Sequence, residues 1–417
     1  MSSDATPDPY ADPVRFGQRM QILRERRGMS RTVLGGLVGM SAEWVKQVEN
    51  GRIQAPGLDM VLRIAEALRV RDLSDLTGRR DMPAPLFQGP GHPRLAAVRA
   101  AVDALQIGAP VDAPPRPEHL AARLAVAWRS RHDAPNHREI IGGLLPALIR
   151  DAHLAVQYAE TPTDWRAAQS VLSQVYSLSQ FFLAYQPDPS LLWRVAERSM
   201  VAAAQSADPH AIGVSAWLMA QAHRDSGPGH YDAADSVTMQ AIEHLAPLLP
   251  DADADVLAVA GALQFEAGYT AARRGQKGSA WRHWSQARKM ARQLPQNYFH
   301  PVTSFSQAIM GAHAVTVAVE LHAGPESVRQ AARADASIIP SRPRRARHRI
   351  EEARGYQLDG QPDVAIATLE KAHQAAPETI RYNGYAKSLI LEECQARAAS
   401  RRRRASELAV KVGLLAA

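Results

Sequence analysis

From Glu118 almost to its end, the chain is divided by proline-containing breaks into segments the length of one or two helices. The breaks lie at 133–135, 161–163, 187–189, 206–209, 250–255, 295–301 and 340–343. Because proline lacks the amide hydrogen that helix interiors and central strands need, it separates helices. Aromatic residues make up only 6% of the 417 residues, and no long alternating run of Val, Ile, Thr and Tyr indicates a strand. The pattern predicts an all-α protein.

Two of these segments repeat one arrangement of small and large residues. The first comprises Ala353, Tyr356, Gly360, Ala365, Leu369, Ala372 and Pro377, and the second places Gly268, Gly275, Ala280, Trp284 and Ala287 at matching offsets. Small residues let two antiparallel helices approach, and glycine permits the turn between them. The offsets resemble those of the tetratricopeptide repeat, which implies an α-solenoid of stacked hairpins. A third copy at 222–246 needs an insertion at 227–230, and plain alanine-rich hairpins are the alternative.

The first part of the chain has a different organisation. Five short periodic segments lie at 14–27, 31–38, 42–50, 58–68 and 72–77, and Pro- and Gly-rich stretches follow at 78–93 and 108–117. We therefore expect four regions: a disordered N-terminus (1–12), a five-helix domain (13–80), a linker containing one helix at 94–105 (81–117), and the helical repeats (118–417).

The second and third segments predict a helix-turn-helix unit. Leu34 and Val38 on one helix, with Val45 and Val48 on the next, supply an inward face. Gly39 lies at the tight turn between the helices, and the small Gly35 permits their close approach. Ser41 is a suitable N-cap for the third helix, which leaves Ala42, Glu43, Lys46 and Gln47 exposed. A helix of this kind can lie in the major groove of DNA.

Residues 14–77 resemble the lambda-repressor-like, or Xre-type, helix-turn-helix family. The motifs that carry the resemblance are Leu23-Arg24, Gly28-Met29-Ser30, Gly39-Met40-Ser41, Glu49-Asn50-Gly51-Arg52 with Pro56, and 64–68. The resemblance implies a buried structural ion pair between Arg24 and Glu49. It also implies phosphate contacts from Arg31, Ser41, Asn50 and Arg52, and base contacts from Ala42, Glu43 and Gln47. Lys46 is placed for either role.

Side-chain chemistry indicates which of these residues are the preferred base contacts. Gln47 to adenine is the preferred specific contact and Lys46 the second, because Ala42 can only touch a thymine methyl. Glu43 could accept a hydrogen bond from a cytosine amino group but would repel phosphate. Trp44 is expected to pack against the first helix or the linker.

Charge supports a DNA partner for this domain. Residues 13–80 contain 13 basic and 7 acidic side chains, which accounts for most of the net charge of +7 of the chain. One unit of this size reads few base pairs, so we expect a homodimer on a pseudo-palindromic site in double-stranded DNA. The alternative is an adaptor whose helix-turn-helix unit binds a partner protein instead of DNA.

Other functional classes lack sequence support. The single Cys394 excludes an intrachain disulfide and a cysteine-based zinc site. No HExxH, GxxxxGK[ST] or GxSxG motif occurs, so neither a catalytic site, nor a metal, nor a cofactor is expected. The first twelve residues lack the basic and apolar regions of a secretory signal, and no apolar run is long enough to span a membrane. We expect a cytoplasmic, non-enzymatic protein.

The helical repeats are longer than dimerisation requires, so we expect them to have a further function. The layout is similar to that of peptide-pheromone-sensing regulators, which implies an effector that is a peptide, a protein or a small molecule. Tyr269, Arg273 and Trp281 are the candidate residues of a ligand groove, with helix packing as their alternative role. The basic runs at 342–349 and 401–404 are expected to be solvated helix faces or contacts to DNA or an acidic partner.

Overall fold

A computed structural model describes residues 13–53, 56–68, 70, 76, 91–104, 114–394, 396 and 398–415, and none of these residues lies in a strand. The described part divides into two compact units, which end and begin at Gly91 and His92. The predicted all-α class is confirmed. The expected disordered segment 1–12 lies outside the described residues, as does most of the predicted fifth helix, of which only the buried, helical Leu76 is described.

The N-terminal unit contains four described helices: α1 (Pro13–Arg26), α2 (Arg31–Val38), α3 (Ala42–Glu49) and α4 (Leu58–Ala67). Helix α3 packs against both α1 and α2, and α2 also packs against α4. The core that they share includes Phe16, Leu34, Val45, Val48 and Ile64.

Local signals explain where α2 and α3 begin and end. The Ser30 and Ser41 hydroxyls accept hydrogen bonds from Val33 N and Trp44 N, at 3.2 and 3.1 Å, and so cap the two helices. Gly39 has φ +75°, a left-handed conformation that costs other residues free energy. A Cβ atom on Gly35 would lie 2.7 Å from Met40 O, which confirms that only glycine fits there.

The second unit consists of successive helical hairpins. Its helices are α5 (Leu95–Asp103), α6 (Pro117–Asp133), α7 (His137–Gln157), α8 (Pro162–Leu183), α9 (Pro189–Ser206), α10 (Pro209–Asp225), α11 (Tyr231–Leu245), α12 (Ala254–Arg273), α13 (Lys277–Ala291), α14 (Met310–Glu320), α15 (Gly324–Arg333), α16 (Arg342–Leu358), α17 (Pro362–Ala375), α18 (Pro377–Tyr382), α19 (Gly384–Glu393) and α20 (Ala399–Lys411). All seven predicted breaks fall at helix boundaries. Six helices begin with proline at their first residue, where its missing amide hydrogen is not needed.

The hairpins stack as the repeat pattern predicts. Each even-numbered helix from α6 to α16 packs against its odd-numbered successor, and it also packs against the next even-numbered helix. Within the predicted repeats, the turns at Gly275 and Gly360 have φ +74° and +73°. The insertion expected in the third copy is a short 3₁₀ helix, Pro228–His230.

We call the row of even-numbered helices the inner row, and a late helix of this row contacts its first helix. Helix α16 contacts α6, and His132 Nδ1 lies 2.8 Å from Ser341 Oγ. Arg138 lies on α7, and its backbone N donates a hydrogen bond to Oε2 of Glu378, on α18, at 2.6 Å. Side chains that project from different inner-row helices therefore meet.

The position of α5 differs from the predicted domain division. Helix α5 was assigned to a linker, but Leu95, Val98 and Val102 are buried in the core of the second unit, where α5 packs on α7. Only the stretches on either side of α5 were rich in Pro and Gly, so the sequence did not show which unit it would join.

Candidate functional site

Helix α3 separates its side chains into two faces. Val45, Val48 and Glu49 point inward, with Glu49 only 2% exposed. The four candidate contacts Glu43, Lys46, Gln47 and Asn50 recur at helical spacing on the opposite face, where Gln47 is half-buried and the other three are exposed. The third helix therefore presents a polar face at the surface of its unit, as base readout requires.

Arg24 and Glu49 lie in direct contact in the interior of the unit. Arg24 Nε donates to Glu49 Oε1 at 2.6 Å, and Arg24 Nη1 donates to Met29 O at 2.7 Å. The hydrogen bond to Glu49 raises the pKa of Arg24. This pair connects α1 to α3, so neither residue is free to reach DNA bases.

Glu49 has a second cationic partner that the sequence did not reveal. Arg31 Nε, at the start of α2, donates to Glu49 Oε2 at 2.6 Å, while the Arg31 side chain stays 39% exposed. Glu49 thus holds the guanidinium of a proposed phosphate contact at the junction of α2 and α3. The two residues are 18 positions apart, so no local spacing rule could have found this pairing.

The remaining candidate contacts vary in how they are held. Ser41 acts as the N-cap of α3, and Asn50 and Arg52 are exposed beyond the last turn of that helix. Lys46 Nζ lies 3.6 Å from Glu43 Oε2, and Gln47 Nε2 lies 3.5 Å from Glu43 Oε1. Glu43 therefore restrains Lys46 and Gln47, the two preferred base contacts. Ala42 is half-buried, and Trp44 packs against the core of its unit.

The predicted groove residues of the repeat unit lie in different surroundings. Tyr269 is buried, with the Arg224 guanidinium 3.9 Å from its ring centre and its hydroxyl 3.4 Å from Glu320 Oε1. Arg273 lies 3.7 Å from Glu320 and 3.4 Å from the Tyr385 hydroxyl. Trp281 lies on α13, outside the inner row, and packs edge-on against Trp284. The structure therefore brings Tyr269 and Arg273 together, and it places Trp281 elsewhere.

Tyr269 and Arg273 belong to a set of side chains that we call the paired cluster: Arg224, Glu266, Tyr269, Arg273, Glu320, Arg347, Glu351, Arg354 and Tyr385. Each arginine in it has a carboxylate partner. Arg354, for example, lies 2.7 Å from Glu320 and 2.6 Å from Glu351. The proximity of these charges makes the paired cluster a structural connection among α10, α12, α14 and α16.

The basic runs also have structural partners. In the first run, Arg345 donates to Ile339 O at 2.6 Å and Arg342 donates to Ala375 O at 3.0 Å. In the second, Arg401 lies 2.6 Å from Glu393 and Arg404 lies 2.7 Å from Glu370. These four arginines are half-buried and bonded to neighbouring groups, and a contact of the two runs to DNA or an acidic partner stays a prediction.

The N-terminal unit is similar in sequence to a known family. Residues 15–81 match the family model described as a helix-turn-helix domain. Together with the geometry of α2 and α3, this identifies the N-terminal unit as a helix-turn-helix domain, and the second unit is built from tetratricopeptide-like helical hairpins. A search of curated proteins found no significant match.

Two solved structures are similar at a low level. The crystal structure of Bacillus thuringiensis PlcR in complex with the peptide PapR7 and DNA shares 10% identity with a TM-score of 0.29, covering 85% of this chain and 99% of that chain. The apo form of the competence regulator ComR from Streptococcus vestibularis shares 14% identity with a TM-score of 0.23, covering 74% and 99%. Both scores are far below the range of a shared global fold.

Neither a candidate metal-ion cluster nor a candidate membrane-spanning helix occurs among the described residues. There, His, Cys, Asp and Glu side chains form no group of three or more that could hold a metal ion. Within the same residues, every helix is too short or too polar to cross a membrane.

Proposed function

We propose that this chain is a transcriptional regulator of the Xre type that binds double-stranded DNA through α2 and α3 and responds to an effector held by the helical repeats. The observation that carries the proposal is the polar face of α3, formed by Glu43, Lys46, Gln47 and Asn50, next to the Glu49-held guanidinium of Arg31. The excess of basic residues in 13–80 favours a polyanionic partner for the same unit.

Within this interface the roles divide by chemistry. Gln47 reads adenine, with Lys46 as the second reader, whereas Arg31, Ser41, Asn50 and Arg52 contact phosphates. Ala42 and Glu43 touch base edges at most. The working form is a cytoplasmic homodimer on a pseudo-palindromic site with half-sites about one helical turn apart.

The test measures binding of the full-length protein to its own promoter region and to a scrambled duplex of equal length, by gel shift over a series of salt concentrations. We expect preference for the promoter and a steep decrease in affinity with salt, because phosphate contacts release counterions. Equal binding to both duplexes, or none to either, would contradict the proposal.

The second candidate is an adaptor whose N-terminal unit binds a protein. The exposed apolar side chains Val33, Leu37 and Met40, on α2 and the turn after it, favour this alternative because a protein contact would cover them. Substituting Leu37 with Ser separates the two functions. An adaptor loses its partner, whereas a DNA reader keeps its promoter preference.

A further inference from the structure

Arg131 on α6 is a buried cation that lacks a counter-charge. It is 9% exposed, and its guanidinium carbon lies 4.1 Å from the Phe181 ring centre and 5.7 Å from that of Trp128. Among the described residues, no carboxylate oxygen lies within 4.0 Å of it, and its Nη1 lies 3.4 Å from His132 Nδ1. Burial, together with the nearby cations Arg344 and Arg138, lowers the pKa of Arg131 to about 9. An unpaired buried charge of this kind is costly.

Arg344, near the start of α16, also has no carboxylate in direct contact, although Glu266 and Glu351 act on it from a greater distance and partly offset the lowering of its pKa by burial. Its Nη2 lies 3.0 Å from His313 Nε2, and no described carboxylate lies within 4.0 Å. A guanidinium can only donate, so His313 Nε2 accepts and the proton of this neutral imidazole lies on Nδ1. His313 Nδ1 is buried and has no partner among the described residues, which leaves one more donor unused.

Two indole groups add further unused donors. Trp128 Nε1 and Trp217 Nε1 are both buried without a hydrogen-bond partner in the described chain. Their rings flank Phe181, at centroid distances of 5.4 and 6.2 Å. The adjacent Gln180 supplies one unpartnered acceptor, Oε1. Donors and positive charge therefore exceed acceptors around Phe181, whereas in the paired cluster every arginine has a carboxylate.

The fold keeps these groups together. The 2.8 Å contact between His132 and Ser341 joins the end of α6, next to Arg131, to the start of α16, which carries Arg344. Ser341 caps α16, so the positive end of a 17-residue helix dipole faces the same place. Phe181 and Arg344 are half-buried, so the edge of this group of side chains reaches the surface.

We propose that Arg131, Arg344, Trp128 and Trp217 form the site that binds the anionic group of the effector, a carboxylate or phosphate carried on an apolar body. The anion supplies the negative charge that the two guanidiniums lack and the acceptors that the two indoles lack, and the Phe181 ring contacts the apolar body. This inference rests on the proposed function, in which the helical repeats hold an effector. We call these four residues and Phe181 the anion site.

The test uses the full-length protein and three small probes of similar shape: phenylacetate, phenyl phosphate and the neutral phenylacetamide. Binding is measured by saturation-transfer NMR and by thermal shift. We expect the two anions to bind and the amide not to bind. Arg131→Gln should lower anion affinity by about tenfold or more, because a buried charge-assisted hydrogen bond is lost. Arg129→Gln, on the exposed side of the same helix, is the matched control and should bind as the wild type.

Two further measurements separate a binding role from a structural one. Arg131→Gln removes an uncompensated buried charge, so the ligand-free variant should melt at a higher temperature than the wild type. Trp217→Phe removes the N–H together with the five-membered ring of the indole, and it should weaken anion binding, while the melting temperature of the ligand-free variant measures the separate effect of the smaller side chain. Equal binding of the amide, or a lower melting temperature of Arg131→Gln, would overturn the proposal.

Two peptide pools decide the source of the anion. Random hexapeptides with a free C-terminal carboxylate are compared with the same pool bearing C-terminal amides. Tighter binding of the free-carboxylate pool than of phenylacetate supports a peptide terminus, and tighter binding of phenylacetate supports a small organic acid. Anion binding without promoter binding would reject only the proposed function, and promoter binding without anion binding would reject only this inference.

Discussion

The carboxylate of Glu49 on α3 lies 2.6 Å from the guanidinium Nε of Arg31 on α2. Because the other oxygen of Glu49 lies 2.6 Å from Arg24 Nε, one buried carboxylate holds both an interior cation and a surface one. The surface position of Arg31 therefore depends on the same residue that connects α3 to α1. Packing of the domain and presentation of its proposed phosphate contact are coupled through Glu49.

Replacing Glu49 with Gln should destabilise the N-terminal unit by about 3 kcal/mol, because the buried guanidinium of Arg24 loses its counter-charge. Hydrogen exchange of α1 and α3 in the full-length protein measures the effect. Glu25→Gln is the control, since Glu25 also lies near Arg24, at 3.2 Å, but its side chain is 55% exposed. Equal protection in the two variants would show that the buried pair contributes little.

Gln47→Ala should cost about 1–3 kcal/mol on the preferred duplex and relax selection at one base pair, while binding to random DNA is unchanged. Arg52→Ala should weaken binding to every sequence and reduce the salt slope by about 1. Arg31→Ala is a less clean probe because it also frees Glu49. Fluorescence anisotropy on specific and random duplexes checks both variants, and identical losses on the two duplexes would refute this division of roles.

Glu43→Gln should increase affinity for all DNA. The change removes a negative charge near the phosphates and releases Lys46 and Gln47, which lie 3.6 and 3.5 Å from the Glu43 carboxylate. Glu66→Gln on the exposed surface of α4 removes the same charge away from α3 and serves as the control. If the control gained as much affinity, net charge alone would explain the result.

The helical repeats should lose stability as pH falls below about 6.5. Burial lowers the pKa of His132 to about 3 and of His137 to about 2, and it holds those of His300 and His313 well below the usual value. Below about pH 6.5 these histidines are therefore protonated in the unfolded chain and neutral in the folded chain. Each histidine then lowers the free energy of unfolding by about 1.4 kcal/mol per pH unit. Thermal unfolding between about pH 7.5 and 5, a range that includes the unfolded pKa of roughly 6.5, measures the slope of stability against pH. His132→Asn should make the slope shallower, and an unchanged slope would contradict this account.

Two glycine substitutions should act in opposite directions. A Cβ atom on Gly261 would overlap the ring of the fully buried Phe305, so Gly261→Ala should destabilise the repeats by about 1–3 kcal/mol. Gly278, on the exposed start of α13, has open space around it, so Gly278→Ala should stabilise by up to about 1 kcal/mol. Thermal melts of both variants check the contrast, which fails if they shift in the same direction.

Much of the fold could be predicted because its signals are local. Prolines at first helical residues, serine N-caps and left-handed glycines act within one turn of the chain, so the breaks and the α2–α3 unit were visible in the sequence. The alternation of Val45, Val48 and Glu49 with exposed polar residues also follows from helical periodicity alone. Which unit α5 would join depended on a distant apolar surface, and the sequence carried no sign of it.

The sequence by itself determined the all-α class, the helix-turn-helix and the polar face of α3, because each depends on residues a few positions apart. Only the tertiary structure decided that Arg31 shares Glu49 with Arg24, that Arg273 is paired, and that Arg131 and Arg344 are not. His132 and Ser341, which join the two sides of the anion site, are 209 residues apart. Whether a buried arginine has a carboxylate partner depends on which helices pack together, and that is settled by long-range packing, which no spacing in the chain encodes.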